Sequence, residues 1–279
     1  LRELYTVTLK ALRLGLQNPS AYSDRLKENK QEATDELLKL GLSLESINIA
    51  WRHVSDEYFA RYSADEITWH TIAIASSHEE DLPLVLLRPQ TERGSAEVFV
   101  YTKNENAIFS LSTATFDQLG LTILDARIVT TLDNYVLNSF QILEQTGEPI
   151  KELFREVHIC TTLRSNLLQH EVKDRRNIHK QSRQAKHFPI PSSIEFHLDP
   201  LNKHSVIELI TTDHAGLLSK IGQVFIQEGI QLHNAKITTI GARAEDMFYV
   251  TDAQGLLIED LNKQSQIREA ILTILEGRF

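Results

Sequence analysis

The chain has 279 residues, enough for two or three domains that each bury a core. Hydrophobic residues make up 42% and charged residues 24%, the balance of an ordinary globular protein, and a net charge of −9 excludes the basic footprint of a general nucleic-acid binder. One cysteine, Cys160, rules out an internal disulfide framework and predicts a reducing, cytoplasmic setting; no apolar run approaches the roughly 20 residues of a membrane span and no secretory signal opens the chain.

Residues 1–80 read as helices only. Leu1 already lies inside an amphipathic pattern (Leu4, Leu9, Leu12, Leu16), as in a piece excised from a longer protein. Leu4, Val7, Ala11 and Leu14 keep helical spacing until Gly15, Asn18 and Pro19 end it. A second helix is predicted from Tyr22 to Leu40, closed by Gly41. Ser43 is placed to cap the next, which carries Leu44, Ile47, Ala50 and Trp51. Ser63-Ala64-Asp65-Glu66 has the capping-box form and opens a helix bearing Ile67, Trp69, Ile72 and Ile74.

From Leu84 the period changes. Leu84–Leu87 and Glu97–Thr102 read as strands, joined to a helix with Ile108, Phe109, Phe116 and Leu119 that Gly120 terminates. Leu121 and Ile123 alternate, then the apolar phase slips and resumes at Ala126, Ile128 and Thr130. A strand through Val136–Ile142 follows. A long helix after Pro149 then carries Leu153, Phe154, Val157, Leu167 and Leu168. The same sequence of events recurs with strands at 194–198 and 206–211, a helix carrying Leu217, Leu218, Ile221, Val224 and Phe225, and Gly229. Ile230 and Leu232 slip phase to Ala235 and Ile237, and a strand over Met247–Thr251 and a helix with Ile267, Ile271 and Ile274 complete the copy.

The two stretches are in register without a gap. Gly120 matches Gly229, an offset of 109 (229 − 120), at which Thr102, Ser110, Phe116, Gln118, Ala126, Ile128 and Thr130 all meet their own kind. A repeat as long as a small domain means tandem domains. The phase slip at Leu124-Asp125 and again at His233-Asn234 is what a β-bulge does to a period of two. Each copy lacks a closing strand but owns a preceding one, which a hairpin carries to the same edge. The fold class is therefore α+β: a helical segment (1–80), a first ferredoxin-like domain (83–173), a linker (174–191) and a second such domain (192–279). Each domain is expected to be a four-stranded antiparallel sheet with two helices on one face.

Thr212-Asp213-His214-Ala215-Gly216-Leu217-Leu218, followed by a helix, Gly229 and Asn234-Ala235-Lys236-Ile237, resembles the signature of the ACT domain, a small regulatory module that binds an amino acid. Residues 204–252, with Glu245–Asp252, look like the terminal ACT domain of the bifunctional PII-protein uridylyltransferase/uridylyl-removing family. Asp56–Phe59, Trp69–Thr71 and Lys186–Pro189 resemble that family's linking segments. The resemblance implies a parent with a nucleotidyltransferase domain, an HD-type phosphohydrolase domain and two ACT domains, with residues 1–80 as the tail of the HD domain and a linker. Neither catalytic centre is expected in this chain: there is no His-Asp dipeptide, and no Gly-Ser loop is followed by paired aspartates to hold the parent's Mg²⁺. No cofactor or metal is expected here, and the resemblance implies glutamine as effector with PII and the parent's catalytic domains as partners.

The spacing by itself implies a small zwitterion. A turn before a helix offers free N–H groups and a positive dipole end to a carboxylate. The expected ligand-binding residues are Asp213, His214, Ala215, Gly216, Leu217 and Leu218, with Asn234 on the neighbouring strand reading an amide. Asp213 is expected to cap the helix and Gly216 to let the ligand approach the backbone. Each also has a purely structural reading: a cap, close helix–sheet packing, a satisfied bulge. In the first copy Asn104 and Ala107 replace Asp213 and Gly216, so that copy is read mainly as a packing partner completing the pocket. Cys160 reads as a core thiol, the histidines lack metal-ligand spacing, Trp69-His70 reads as packing, and Arg175, Arg176, Lys180, Arg183 and Lys186 read as a solvated linker. The alternative to a sensor is a ligand-free platform that pairs sheets or docks PII.

Overall fold

The computed structural model of the protein describes residues 19–89, 91, 94–105, 107–172, 190–199 and 203–276. The helix predicted over Leu4–Leu14, the basic run between the copies, Lys186–Pro189 and most of the 174–191 linker lie outside the described residues. The chain divides into two compact units: residues up to Glu79 with 131–133 and 199–203, and all the rest.

The first unit contains α1 (Pro19–Lys39), α2 (Leu44–Trp51), α3 (Asp56–Arg61) and α4 (Ala64–Ala75). Pro19 starts α1, where its missing N–H is no loss. Ser43 Oγ accepts the N–H of Ser46 at 3.1 Å, and Ser63 and Glu66 form the expected reciprocal capping box. The short α3, which the periodicity does not predict, ends where Asn29 of α1 donates to the carbonyls of Phe59 and Tyr62 at 2.9 and 2.8 Å. Tyr58, Phe59, Tyr62 and His70 are buried together, with Tyr58 Oη 3.0 Å from His70 Nδ1.

The second unit is built from β1 (Leu84–Arg88), β2 (Ala96–Lys103), α5 (Ile108–Gln118), β3 (Leu121–Thr130), β4 (Tyr135–Glu144) and α6 (Leu153–Gln169), then β5 (Ser193–Asp199), β6 (His204–Thr212), α7 (Leu217–Gln227), β7 (Ile230–Lys236), β8 (Thr239–Ile240), β9 (Arg243–Asp252) and α8 (Leu261–Glu276). Each copy has the permuted ferredoxin-like order, β1-β2-β4-β3 and its counterpart β5-β6-β9-β7. The preceding strand β1 runs antiparallel to β2, as the hairpin argument requires. Both bulges fall where the phase slips: the β3–β4 register shifts between Ile123 and Asp125, and the β7–β9 register between Leu232 and Asn234. Gly120 and Gly229 end their helices at φ 69° and 66°, a left-handed conformation that side chains disfavour.

The copies are not two separate sheets. β3 pairs with β7 antiparallel, so among the described residues the strands form one continuous sheet ordered β1-β2-β4-β3-β7-β9-β6-β5. The seam is a pseudo-twofold: Ala126 pairs with Ala235, its own counterpart in the repeat. Above it α5 meets α7, where Ser110 Oγ donates to the carbonyl of its counterpart Ser219 at 3.2 Å. A Cβ on Gly222 would lie 3.2 Å from Ser110 Cα, so glycine sets how closely these helices approach.

Each copy repeats one core. Phe116 meets Phe140 edge to face at 5.1 Å, and Phe225 meets Phe248 at 5.4 Å. In α6 the buried stripe is Ile159, Leu163 and Leu167; Leu153, Phe154, Val157 and Leu168 are exposed, against expectation. Apolar residues occupy two faces of this helix, and periodicity cannot choose between them; contact with α5 and β1 does. Among the described residues no helix is long and apolar enough to cross a membrane.

Candidate functional site

Where β6 runs out, the chain turns through Asp213–Gly216 into α7. The Asp213 N–H donates to the carbonyl of Ala242 at 2.9 Å, tying this loop to the turn before β9. Asp213 is not the cap of the helix. That position belongs to Gly216, three residues on, with φ 80° and no side chain to offer. Its N–H is instead accepted by Asp117 Oδ2 at 2.9 Å, from the last turn of α5 in the other copy. A Cβ on Gly216 would meet nothing within 4 Å, so backbone conformation, not space, demands glycine there. The amide expected to serve a ligand carboxylate is thus engaged by an aspartate that the sequence reading did not single out.

Beside this contact lies a cavity of about 310 Å³ walled by both copies. The first supplies Asp117, Gly120, the start of β3 (Leu121, Thr122 and Ile123) and Gln145; the second supplies Asp213, His214, Ala215, Leu217 and Leu218, the Ile237–Ala244 region, and Asp246. Of the residues singled out from sequence, Gly216 faces a smaller neighbouring cavity of about 220 Å³, between α5 and α7. Asn234 lies in the β3–β7 seam opposite Arg127 and is not among the cavity's lining residues.

Asp246 belongs to the core-facing phase of β9, in step with the buried Ala244, Phe248 and Val250. Its Oδ1 accepts the Thr238 N–H at 3.2 Å; its Oδ2 is buried and has no hydrogen-bond partner. An acid in phase with a strand's apolar face is the signal that could have found it. For Asp117 the signal is the repeat itself, since its counterpart at the same offset is Ile226 (226 − 109 = 117).

All three carboxyl groups are raised, chiefly by burial. Burial, above all, lifts Asp246 to about 7, with Asp213 adding to the rise and the Thr238 N–H opposing it. Burial likewise lifts Asp117 to about 6, against the Gly216 hydrogen bond and with a contribution from Asp213. Asp213 is raised by burial and held down by His214. Near neutrality this site therefore holds acids that are partly protonated and that a cation would ionise.

Elsewhere, Cys160 is half-buried, and burial pushes its thiol up to about 11, away from reactivity. His197 on β5 lies 3.1 Å from Glu208 and 3.6 Å from Glu195, a group with metal-ligand proximity that the sequence spacing did not suggest. The hydrogen bond between His197 Nε2 and Glu208 Oε2 accounts for this proximity.

Residues 21–73 match the family profile described as Uridylyltransferase GlnD fifth domain, which gives the helices of the first unit a domain signature of their own. The whole chain is similar to proteins named bifunctional uridylyltransferase/uridylyl-removing enzyme. It is 43% identical to that of Methylococcus capsulatus over 98% of this chain, 34% to that of Stutzerimonas stutzeri over 99%, and 35% to that of Vibrio cholerae over 98%. In each case it spans 31% of the relative's length, about a third.

Proposed function

This chain belongs to the family of bifunctional uridylyltransferase/uridylyl-removing enzymes, corresponding to their C-terminal part, and on that footing we propose that it is the glutamine-sensing regulatory region of such an enzyme. The observation that carries the proposal is the cavity of about 310 Å³ shared by the two ACT copies. A zwitterion fits its chemistry: the carboxylates of Asp117, Asp213 and Asp246 for an ammonium, and the start of α7 at Leu217 and Leu218, the positive end of a helix, for a carboxylate.

A ligand here touches both copies at once. Asp117 of α5 bonds to the head of α7, so a change at the loop reaches both helices and the seam beneath them. Glutamine would in this way bias the attached domains between adding UMP to PII and removing it, provided it binds their two arrangements unequally. The setting is the cytoplasm, and the partners are PII and the parent's catalytic domains.

Calorimetry on this 279-residue chain tests the reading. Glutamine binding is expected, weakened by Asp213→Ala and Gly216→Val. Absence of binding to the folded chain, with PII complexed regardless of glutamine, would instead support an interaction platform without a ligand.

A further inference from the structure

The repeat gives the acids of this cradle counterparts at equivalent positions, and the two sets differ in charge. Register gives the correspondence: Val100 pairs with Asn138 and its counterpart Leu209 pairs with Asp246, so Asn138 and Asp246 occupy the same place. Around Asn138, Asn104 stands where Asp213 does and Ile226 where Asp117 does. Three carboxylates in the cradle correspond to two amides and an isoleucine at the counterpart positions.

Resting on the sensor reading above, we propose that the unpartnered Oδ2 of Asp246, supported by Asp117 and Asp213, binds the ammonium group of the effector, and that the chain holds one such effector, between α5 and the β6–α7 loop. The acids alone would not carry this. Asp246 has no exposed surface, lines the cavity, and leaves one carboxylate oxygen without a partner. A buried carboxylate oxygen that lacks a donor loses its hydration with nothing in return. A primary ammonium brings three donors and a compensating charge. Asn138 also keeps an unpartnered oxygen, but it is a neutral amide, and Asn104 and Ile226, the counterparts of Asp213 and Asp117, carry no negative charge to neutralise a cation.

The cavity's titratable lining residues are Asp117 from α5, Asp213 and His214 from the loop, and Asp246 from β9; the strand neighbour Leu209 and the other lining residues are uncharged. Since burial keeps Asp117 and Asp246 partly protonated near pH 7, ammonium binding ionises them and releases protons.

Titrating the chain with glutamine and with 4-carbamoylbutanoate, which replaces the ammonium by hydrogen, tests the assignment. The expected result is one glutamine per chain, at least about tenfold tighter than the analogue, with Asp246→Asn removing that preference. Asp246→Asn is nearly isosteric, and its circular dichroism checks that it folds. Should it not, the unmodified chain decides: at pH 7, binding heats in buffers of different ionisation enthalpy must show proton release. No binding of glutamine or other amino acids by the folded chain overturns the sensor reading itself. Glutamine binding that keeps its preference in Asp246→Asn, or that releases no protons, or that fills two sites, overturns this assignment and leaves the sensor reading standing.

Discussion

Replacing Asp246 by Asn should make the ligand-free protein more stable in alkali and no more stable in acid. Asp246 is a carboxyl group whose native pKa is raised from 3.8 to about 7, mainly by burial. Between those values the folded state binds more protons than the unfolded one, so stability falls as pH rises through that window and levels off above it. At 1.36 kcal/mol per pH unit the rise corresponds to about 4 kcal/mol, and rearrangement of the loop or entry of water reduces it to about 2–4 kcal/mol. Asn keeps an oxygen for the Thr238 N–H and carries no charge to desolvate. For a unit of this size that difference raises the melting temperature by about 5–10 °C at pH 8, by less than half of that at about pH 5, and leaves it nearly unchanged only at about pH 3.5, below the unfolded-state value. Thermal melts of both proteins across this range are the assay. Melting temperatures that track each other at every pH would refute the claim that Asp246 is a buried, unpaired acid.

Gly222→Val should lower the urea midpoint by an amount equivalent to about 1–3 kcal/mol, because Phe109 and Ser110 of α5 already lie within 3.0–3.2 Å of the added Cβ; an unchanged midpoint would mean the helices are free to separate. Phe140→Ala and Phe248→Ala should each cost about 3–5 kcal/mol in the same assay, and a large gap between them would contradict equivalent cores in the two copies. Iodoacetamide should alkylate Cys160 at pH 8 on the order of a hundredfold more slowly than a free thiol, since burial holds its thiol at about 11; labelling at the free-thiol rate would show that α6 leaves it open.

Much of this protein was legible along the chain, and for one reason: local structure leaves a local trace. The capping box at Ser63 and Glu66 needs only four residues, and the bulges show as a slip in a period of two. Gly120 and Gly229 mark helix ends because a left-handed residue there costs other side chains energy. The permuted sandwich followed from counting strands, since a hairpin fixes which edge a preceding strand occupies. The Asp213–Leu218 loop was found because a turn into a helix is written in consecutive residues.

The tertiary structure decided what joins residues far apart. Pairing of β3 with β7 depends on which edges meet, and neither strand's pattern encodes that choice. It set α5 against α7 and brought Asp117 to Gly216, 99 residues away, taking the amide that the loop by itself offers to a ligand. It also selected the buried face of α6, where two apolar stripes compete. Burial turned Asp117, Asp213 and Asp246 into a coupled set of weak acids, because losing water shifts a carboxyl group only once neighbouring elements have closed around it.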